Sequence, residues 1–146
     1  MLAPMRRVLL VTLLAVASCG GSGGSKAIIE TASGDVVVHV EIADSSAERA
    51  RGLMGRTELP SESGMVFVFP QDTHAGFWMK DTLIPLSIAF YDRTGRIVKL
   101  LDMTPCKQDP CRVYGPGVAF RGALEVPRGA FTRWGVRDGD ILRVER

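Results

Sequence analysis

A chain of 146 residues with 46% hydrophobic and 23% charged content has room for one globular core, which excludes a large multidomain enzyme, a low-complexity polymer and a charge-rich disordered tail. Its formal charge of +2 includes Arg6 and Arg7 of an N-terminal leader; without them 16 basic residues face 16 acidic ones. That balance carries no electrostatic footprint for nucleic acid.

Residues 1–18 place Arg6 and Arg7 before the apolar run from Val8 to Ala17, the positive n-region and short h-region of a secretory signal. The run is shorter than the roughly 20 residues a bilayer-spanning helix needs. At its end Val16-Ala17-Ser18-Cys19 resembles the bacterial lipobox, in which the cysteine is acylated and becomes the new amino terminus after cleavage. Cys19 is then a lipid anchor in the membrane; the alternative is an ordinary signal peptide in which Cys19 merely follows small residues. The Gly/Ser-rich stretch 19–26 is expected to be a flexible tether for a single domain over 27–146. Gly20 resembles the pattern released to the outer membrane of Gram-negative cells, and the leaflet stays open.

From Lys26 onward β-branched and alternating apolar residues dominate. Ile28-Ile29, a turn at Ser33-Gly34-Asp35 and the run Val36 to Ile42 predict a hairpin. Ser45-Ser46-Ala47-Glu48 is a capping box that starts a helix, and Ala47, Ala50, Leu53 and Met54 recur at the spacing that lays one face on a sheet. Met65 to Phe69 reads as a central strand ended by Pro70. Further strands are expected over 77–80, 87–92, 96–103, 120–126 and 141–144, with a hairpin about Asp92-Arg93-Thr94-Gly95 and a brief helical turn over 129–134. No β-α-β alternation is legible. The expectation is a mainly β (α+β) fold: a small antiparallel barrel or curled sandwich with one packed helix and a short helical turn.

Of the three cysteines, Cys106 and Cys111 remain beside the anchor. In an exported chain this pair is expected as a local disulfide, which staples one loop. A redox pair or half a metal site is the alternative, but the spacing is C-x4-C and no histidine lies near.

The strings Arg51-Gly52-Leu53-Met54, Gly64-Met65-Val66-Phe67, Phe77 through Leu86, Cys106 with Cys111 and Tyr114, and Leu124-Glu125-Val126-Pro127-Arg128-Gly129 together resemble the uncharacterised family called domain of unknown function 192. The resemblance implies a small mostly β domain of bacteria and archaea, often exported or lipid-anchored, and it implies no activity. One position departs: where that family usually places an aspartate after Pro85-Leu86, this chain has Ser87.

Enzyme motifs are lacking, with no G-x-S-x-G or H-E-x-x-H string, and no cofactor motif is found. His39 reads as a sheet-face residue, and His74, before Trp78, is the better placed histidine to line a site. Phe77-Trp78-Met79-Lys80-Asp81-Thr82 crowds aromatic, cationic, acidic and hydroxyl groups: Trp78 offers a flat face while Lys80, Asp81 and Thr82 offer directional hydrogen bonds. The alternative is a strand end whose Trp78 and Met79 fill the core. Arg51 and Glu125 either lock helix to sheet or grip an anion. Met54, Met65, Met79 and Met103, with His74 and Trp78, are candidates for Cu(I), or else fill an irregular core.

The sequence therefore predicts a membrane-tethered, non-catalytic envelope domain that binds a small molecule or an envelope polysaccharide through Trp78, Lys80, Asp81, Thr82, Arg51, His74, Tyr114 and Glu125. The alternatives are an enzyme acting on cell-envelope material, with Asp81 or Glu125 as acid or base, and the Cu(I)-handling reading. Oligomeric state is left open.

Overall fold

The computed structural model describes residues 24–146; the signal, lipobox and most of the tether lie outside that range. β1 (Lys26–Thr31) and β2 (Gly34–Ala43) form the expected hairpin, with Ile29 opposite Val36. The capping box then forms as predicted. Ser45 accepts from the Glu48 backbone N–H, and the Glu48 carboxylate accepts from the Ser45 N–H, starting α1 (Ser46–Arg51). These bonds hold the Glu48 carboxyl below the usual glutamate range.

α1 is only six residues long and buries none of them. The expected packed face is instead made just beyond its end. Gly52 turns the chain with φ 47° and ψ −134°, and Leu53, 2% exposed, drops into the core.

β3 (Ser63–Thr73), β4 (Phe77–Trp78), β5 (Leu86–Tyr91), β6 (Ile97–Met103), β7 (Val113–Tyr114), β8 (Phe120–Pro127), α2 (Ala130–Arg133) and β9 (Ile141–Glu145) follow. The large sheet has the order β6-β5-β8-β3-β2-β1-β9, so β3 is central as predicted, and β4 pairs with β7 in a separate ribbon. The sheet curls into a half-barrel. Its two edges meet only at one end, where Arg96 bridges Ile141 and the Leu142 N–H donates to the Gly95 carbonyl. This single junction leaves fewer free edge groups than an open sheet would.

Two expectations are corrected. β2 and β3 run parallel, so the connection carrying α1 is a β-α-β crossover in a sheet expected to be wholly antiparallel. A six-residue helix followed by a long irregular return gives little periodic signal, which is why the crossover was not legible. Pro70 does not end β3 either; the strand continues to Thr73 through a register shift between Val68 and Thr73. An exposed proline without an N–H is accommodated where the ladder is already interrupted.

Side-chain alternation divides the interior into two cores. Val66 on β3, Ala89 and Tyr91 on β5, and Leu124 and Val126 on β8 face α2 and Leu142. Met65, Phe67, Leu86, Ile88, Phe90, Phe120 and Ala123 face the opposite way, toward Leu53, Phe77, Met79 and Tyr114. Since successive strand residues alternate, Glu125, between Leu124 and Val126, must point into this second core.

Ser87 is buried at the other end of β5. Its hydroxyl donates to Asp102 on β6 and accepts from the Gly129 N–H at 2.9 Å, tying the β5-β6 hairpin to the start of α2.

Candidate functional site

The second core is incompletely covered. Its lid is made from the turn after α1 and from the β4 ribbon, two segments distant in sequence that are clamped by the Gly55 N–H donating to the Asp81 carbonyl at 2.8 Å. Asp81 occupies φ 55° in a turn closed by the Thr82 N–H and the Met79 carbonyl. Between lid and sheet lies a cavity of about 260 Å³, bounded by Phe67 and Phe69 of β3, Phe77 and Trp78 of β4, and the segment Arg49 to Met54. Ala75, Gly76, Thr82 and Glu125 complete it.

The aromatic wall is ordered by ring-edge contacts. Phe77 meets Phe67 at 5.0 Å and Phe90 at 5.5 Å, both near perpendicular, the arrangement favoured by ring quadrupoles. Gly52 is needed where the chain passes over Phe67, since a Cβ there would sit 3.3 Å from the ring. At Gly64 a Cβ would overlap the Glu125 carbonyl oxygen, so the glycine lets β3 approach β8 beneath the cavity.

Glu125 lies at the cavity base, 5% exposed, between Met65 of β3 and Ile88 of β5 in the ladder. Among the described residues no hydrogen-bond donor and no cation within salt-bridge distance meets its carboxyl. Burial alone pushes its pKa up to about 8. At neutral pH this group is mostly a neutral acid, able both to donate and to accept a hydrogen bond.

The structure brings Arg51, Trp78, Thr82 and Glu125 together around this cavity. Trp78 is 51% exposed and does not fill the core; Phe77 and Met79 on either side are the buried ones. Arg51 is exposed at the mouth, and among the described residues it makes no ion pair, so it does not lock helix to sheet. Thr82 is buried, and its hydroxyl donates to the Lys80 carbonyl at 3.3 Å.

The other four candidates do not line the cavity. Lys80 pairs with Asp109 at 3.3 Å and stands 5.9 Å over the Trp78 ring, on the outside of the ribbon. Asp81 and His74 are exposed. Tyr114 is buried opposite Phe77, and its hydroxyl accepts from the Thr104 N–H, so it supports the ribbon from behind.

Sequence reasoning missed Phe67 and Phe69 as site walls and Arg49 as a rim residue. The signal was present in period-two spacing: Met65, Phe67 and Phe69 share the strand face that Glu125 joins from β8. Arg49 is held by donating to the Val68 carbonyl at 2.9 Å and by stacking 5.1 Å from the Phe69 ring centroid.

Met65, Met79 and Met103 are buried in the second core, while Met54 is half-buried at the cavity wall. Cys106 and Cys111 are paired at disulfide distance, with Cα atoms 5.5 Å apart. Their clustering with Asp109 is therefore a stapled loop in which neither sulfur is a free thiolate.

Comparison with known proteins agrees with this architecture. The model of the family domain of unknown function 192, described as an uncharacterized ACR, matches residues 28–144. A protein of unknown function from Novosphingobium aromaticivorans is 33% identical, with 81% of this chain and 83% of that one covered at a TM-score of 0.73. A Sinorhizobium meliloti protein, proposed to be a transcription regulator, is 29% identical, with 82% and 92% covered at a TM-score of 0.75. No curated protein matches the chain.

Proposed function

The chain belongs to the uncharacterised domain of unknown function 192 family, and from that premise we propose that it is a membrane-tethered, non-catalytic envelope domain that binds a small molecule in the cavity beneath Trp78. The observation that carries this reading is the Glu125 carboxyl, which belongs to a buried residue, has no protein partner among the described residues and opens at the base of an aromatic cavity. No side-chain oxygen or nitrogen among the described residues is both enclosed and unpartnered, so the Glu125 carboxyl opens onto the cavity, where a ligand can meet it. A carboxyl so placed fits a group that is satisfied by a ligand. At about 260 Å³ the cavity lies just below the ~300–1,000 Å³ range of drug-sized pockets, which favours a small molecule over an extended polysaccharide.

Tethering rests on the lipobox-like junction at Cys19, and the Cys106–Cys111 disulfide fits an oxidising compartment outside the cytoplasm. No helix among the described residues is long and apolar enough to cross a membrane. The description of the Sinorhizobium protein as a regulator is not carried over, because this chain has no excess of basic residues beyond its leader.

A fragment titration followed by backbone and indole N–H resonances tests the binding. Shifts are expected at Gly52, Gly76, Trp78 and Thr82, and Ala50→Trp, at the exposed rim, should abolish them. Shifts that scatter over the sheet or survive Ala50→Trp would end the reading. For the tether, Cys19→Ala should stop incorporation of labelled palmitate and release the domain from membranes.

A second reading, an enzyme acting on envelope material, is favoured at one point only: a buried carboxyl with its pKa near 8 is suited to acid or base work. Asp81, exposed and outside the cavity lining, is not its partner. Turnover of an envelope-derived substrate, lost in Glu125→Gln while binding persists, would replace the binding reading by this one.

A further inference from the structure

Building on the binding reading, we propose that the cavity takes a small two-ended ligand: an amine that meets Glu125 at the base, an anionic group that meets Arg51 at the mouth, and an apolar body against the aromatic walls.

The chemistry at the base favours an amine. Every element around Glu125 other than α1 presents an uncharged group: Met65, Phe67 and Phe69 from β3, Ile88 from β5, Phe77 and Trp78 from β4, and Thr82 from the turn that follows. The Thr82 hydroxyl is committed to the Lys80 carbonyl. A ligand carboxylate placed there would have no cation to balance it, whereas an ammonium group would displace the proton of the acid, pair with the carboxylate left behind and meet the faces of aromatic rings.

The mouth calls for the opposite charge. Of the two arginines from α1, Arg49 is occupied by the Asp44 and Val68 carbonyls and by Phe69. Arg51 lines the same cavity, is exposed, and has no ion-pair partner among the described residues. Its guanidinium would repel a simple cation and hold a carboxylate or phosphate in bidentate fashion. A ligand with both charges, separated by an apolar body, complements base, wall and mouth together.

Binding has a proton balance. The incoming ammonium keeps its proton, the Glu125 carboxylic acid loses one to solvent, and an ammonium–carboxylate pair remains. Because burial raises the pKa of the free carboxyl to about 8, most of it is protonated at pH 7 and up to one proton per ligand leaves. A neutral ligand bonded to the intact acid releases none.

The test is isothermal titration calorimetry of the tether-free mature domain in PIPES and in MOPS, bulky buffers whose protonation enthalpies differ and that carry neither a phosphate nor a primary amine. Four probes share one ring: 4-(aminomethyl)benzoate, 4-methylbenzylamine, 4-methylbenzoate and 4-methylbenzamide. The two-ended probe should bind at least ~10-fold more tightly than either one-ended probe, and both amines should release close to one proton. Glu125→Gln should bring the two-ended probe down to the affinity of 4-methylbenzoate, and Arg51→Met down to that of 4-methylbenzylamine. Binding of the two-ended probe without proton release, or no more tightly than the amide, would overturn the ligand class while leaving the cavity as a binding site. If no probe binds, the amide included, both this inference and the binding reading fall.

Discussion

Replacing Glu125 by glutamine should make the protein more stable at neutral and alkaline pH, by an amount that grows with pH. The folded state holds this carboxyl at a pKa of about 8, against an ordinary value of 4.5 in the unfolded chain. Between those values the folded state retains a proton that the unfolded state has lost, so wild-type stability must fall as pH rises. The stability is fully present below pH 4.5, and the loss is complete only once pH exceeds about 8. Linkage over this window amounts to at most ~5 kcal/mol, on the order of 3 kcal/mol of it between pH 5 and pH 8. Glutamine has nearly the same shape and does not titrate, so its fixed packing cost cancels when two pH values are compared. Urea denaturation of both proteins at pH 5 and pH 8 gives the difference directly. The glutamine variant should gain several kcal/mol relative to wild type across that interval; a difference that stays constant within error would show that the carboxyl is solvated or paired, and the account of the cavity base would be wrong.

Leu53→Ala should destabilise the domain by ~2–5 kcal/mol in chemical denaturation, because Leu53, not the face of α1, anchors this segment to the second core; a loss under ~1 kcal/mol would return that role to the helix. Gly52→Val should cost at least ~1–3 kcal/mol, since it forces a branched side chain into φ 47° and toward Phe67, and an unchanged melting midpoint would refute the local geometry. Alkylation without reduction should label neither Cys106 nor Cys111, and the double serine variant should lose about 2 kcal/mol, as expected for so short a closed loop. Rapid labelling of both thiols would remove the staple.

The legible parts of the fold were those with local causes. Strand alternation in β2, the capping box at Ser45 and Glu48, and the turn at Asp92 to Gly95 each depend on neighbours within a few residues, and each appears as predicted. The crossover from β2 to β3 was not legible, because strand partnership is decided by which surfaces the whole sheet must bury. The length of β3 past Pro70 depends likewise on an interruption in pairing with β8. β7 escaped notice for a related reason: two residues, Val113 and Tyr114, form a strand only because Phe77 and Trp78 lie opposite.

The candidate site was half legible. Trp78, Thr82, Arg51 and Glu125 were named from composition of their motifs, and the fold gathers all four. Lys80, Asp81, His74 and Tyr114 were named on the same grounds but point elsewhere, since a run of polar residues at a strand end does not reveal which side of the turn each occupies. The wall residues Phe67 and Phe69 looked like ordinary core, and that is their chemistry; only the incomplete cover above them makes them a site.

The direct test is the titration of the Glu125 side-chain carboxyl, followed by its own carbon resonance in the selectively labelled protein. In the free protein the midpoint should fall at about 8, and saturation with 4-(aminomethyl)benzoate should drive it sharply downward as the ammonium pair forms. A midpoint near 4.5 in the free protein would contradict the account, because it would mean that water or a partner already satisfies the group on which the binding site depends.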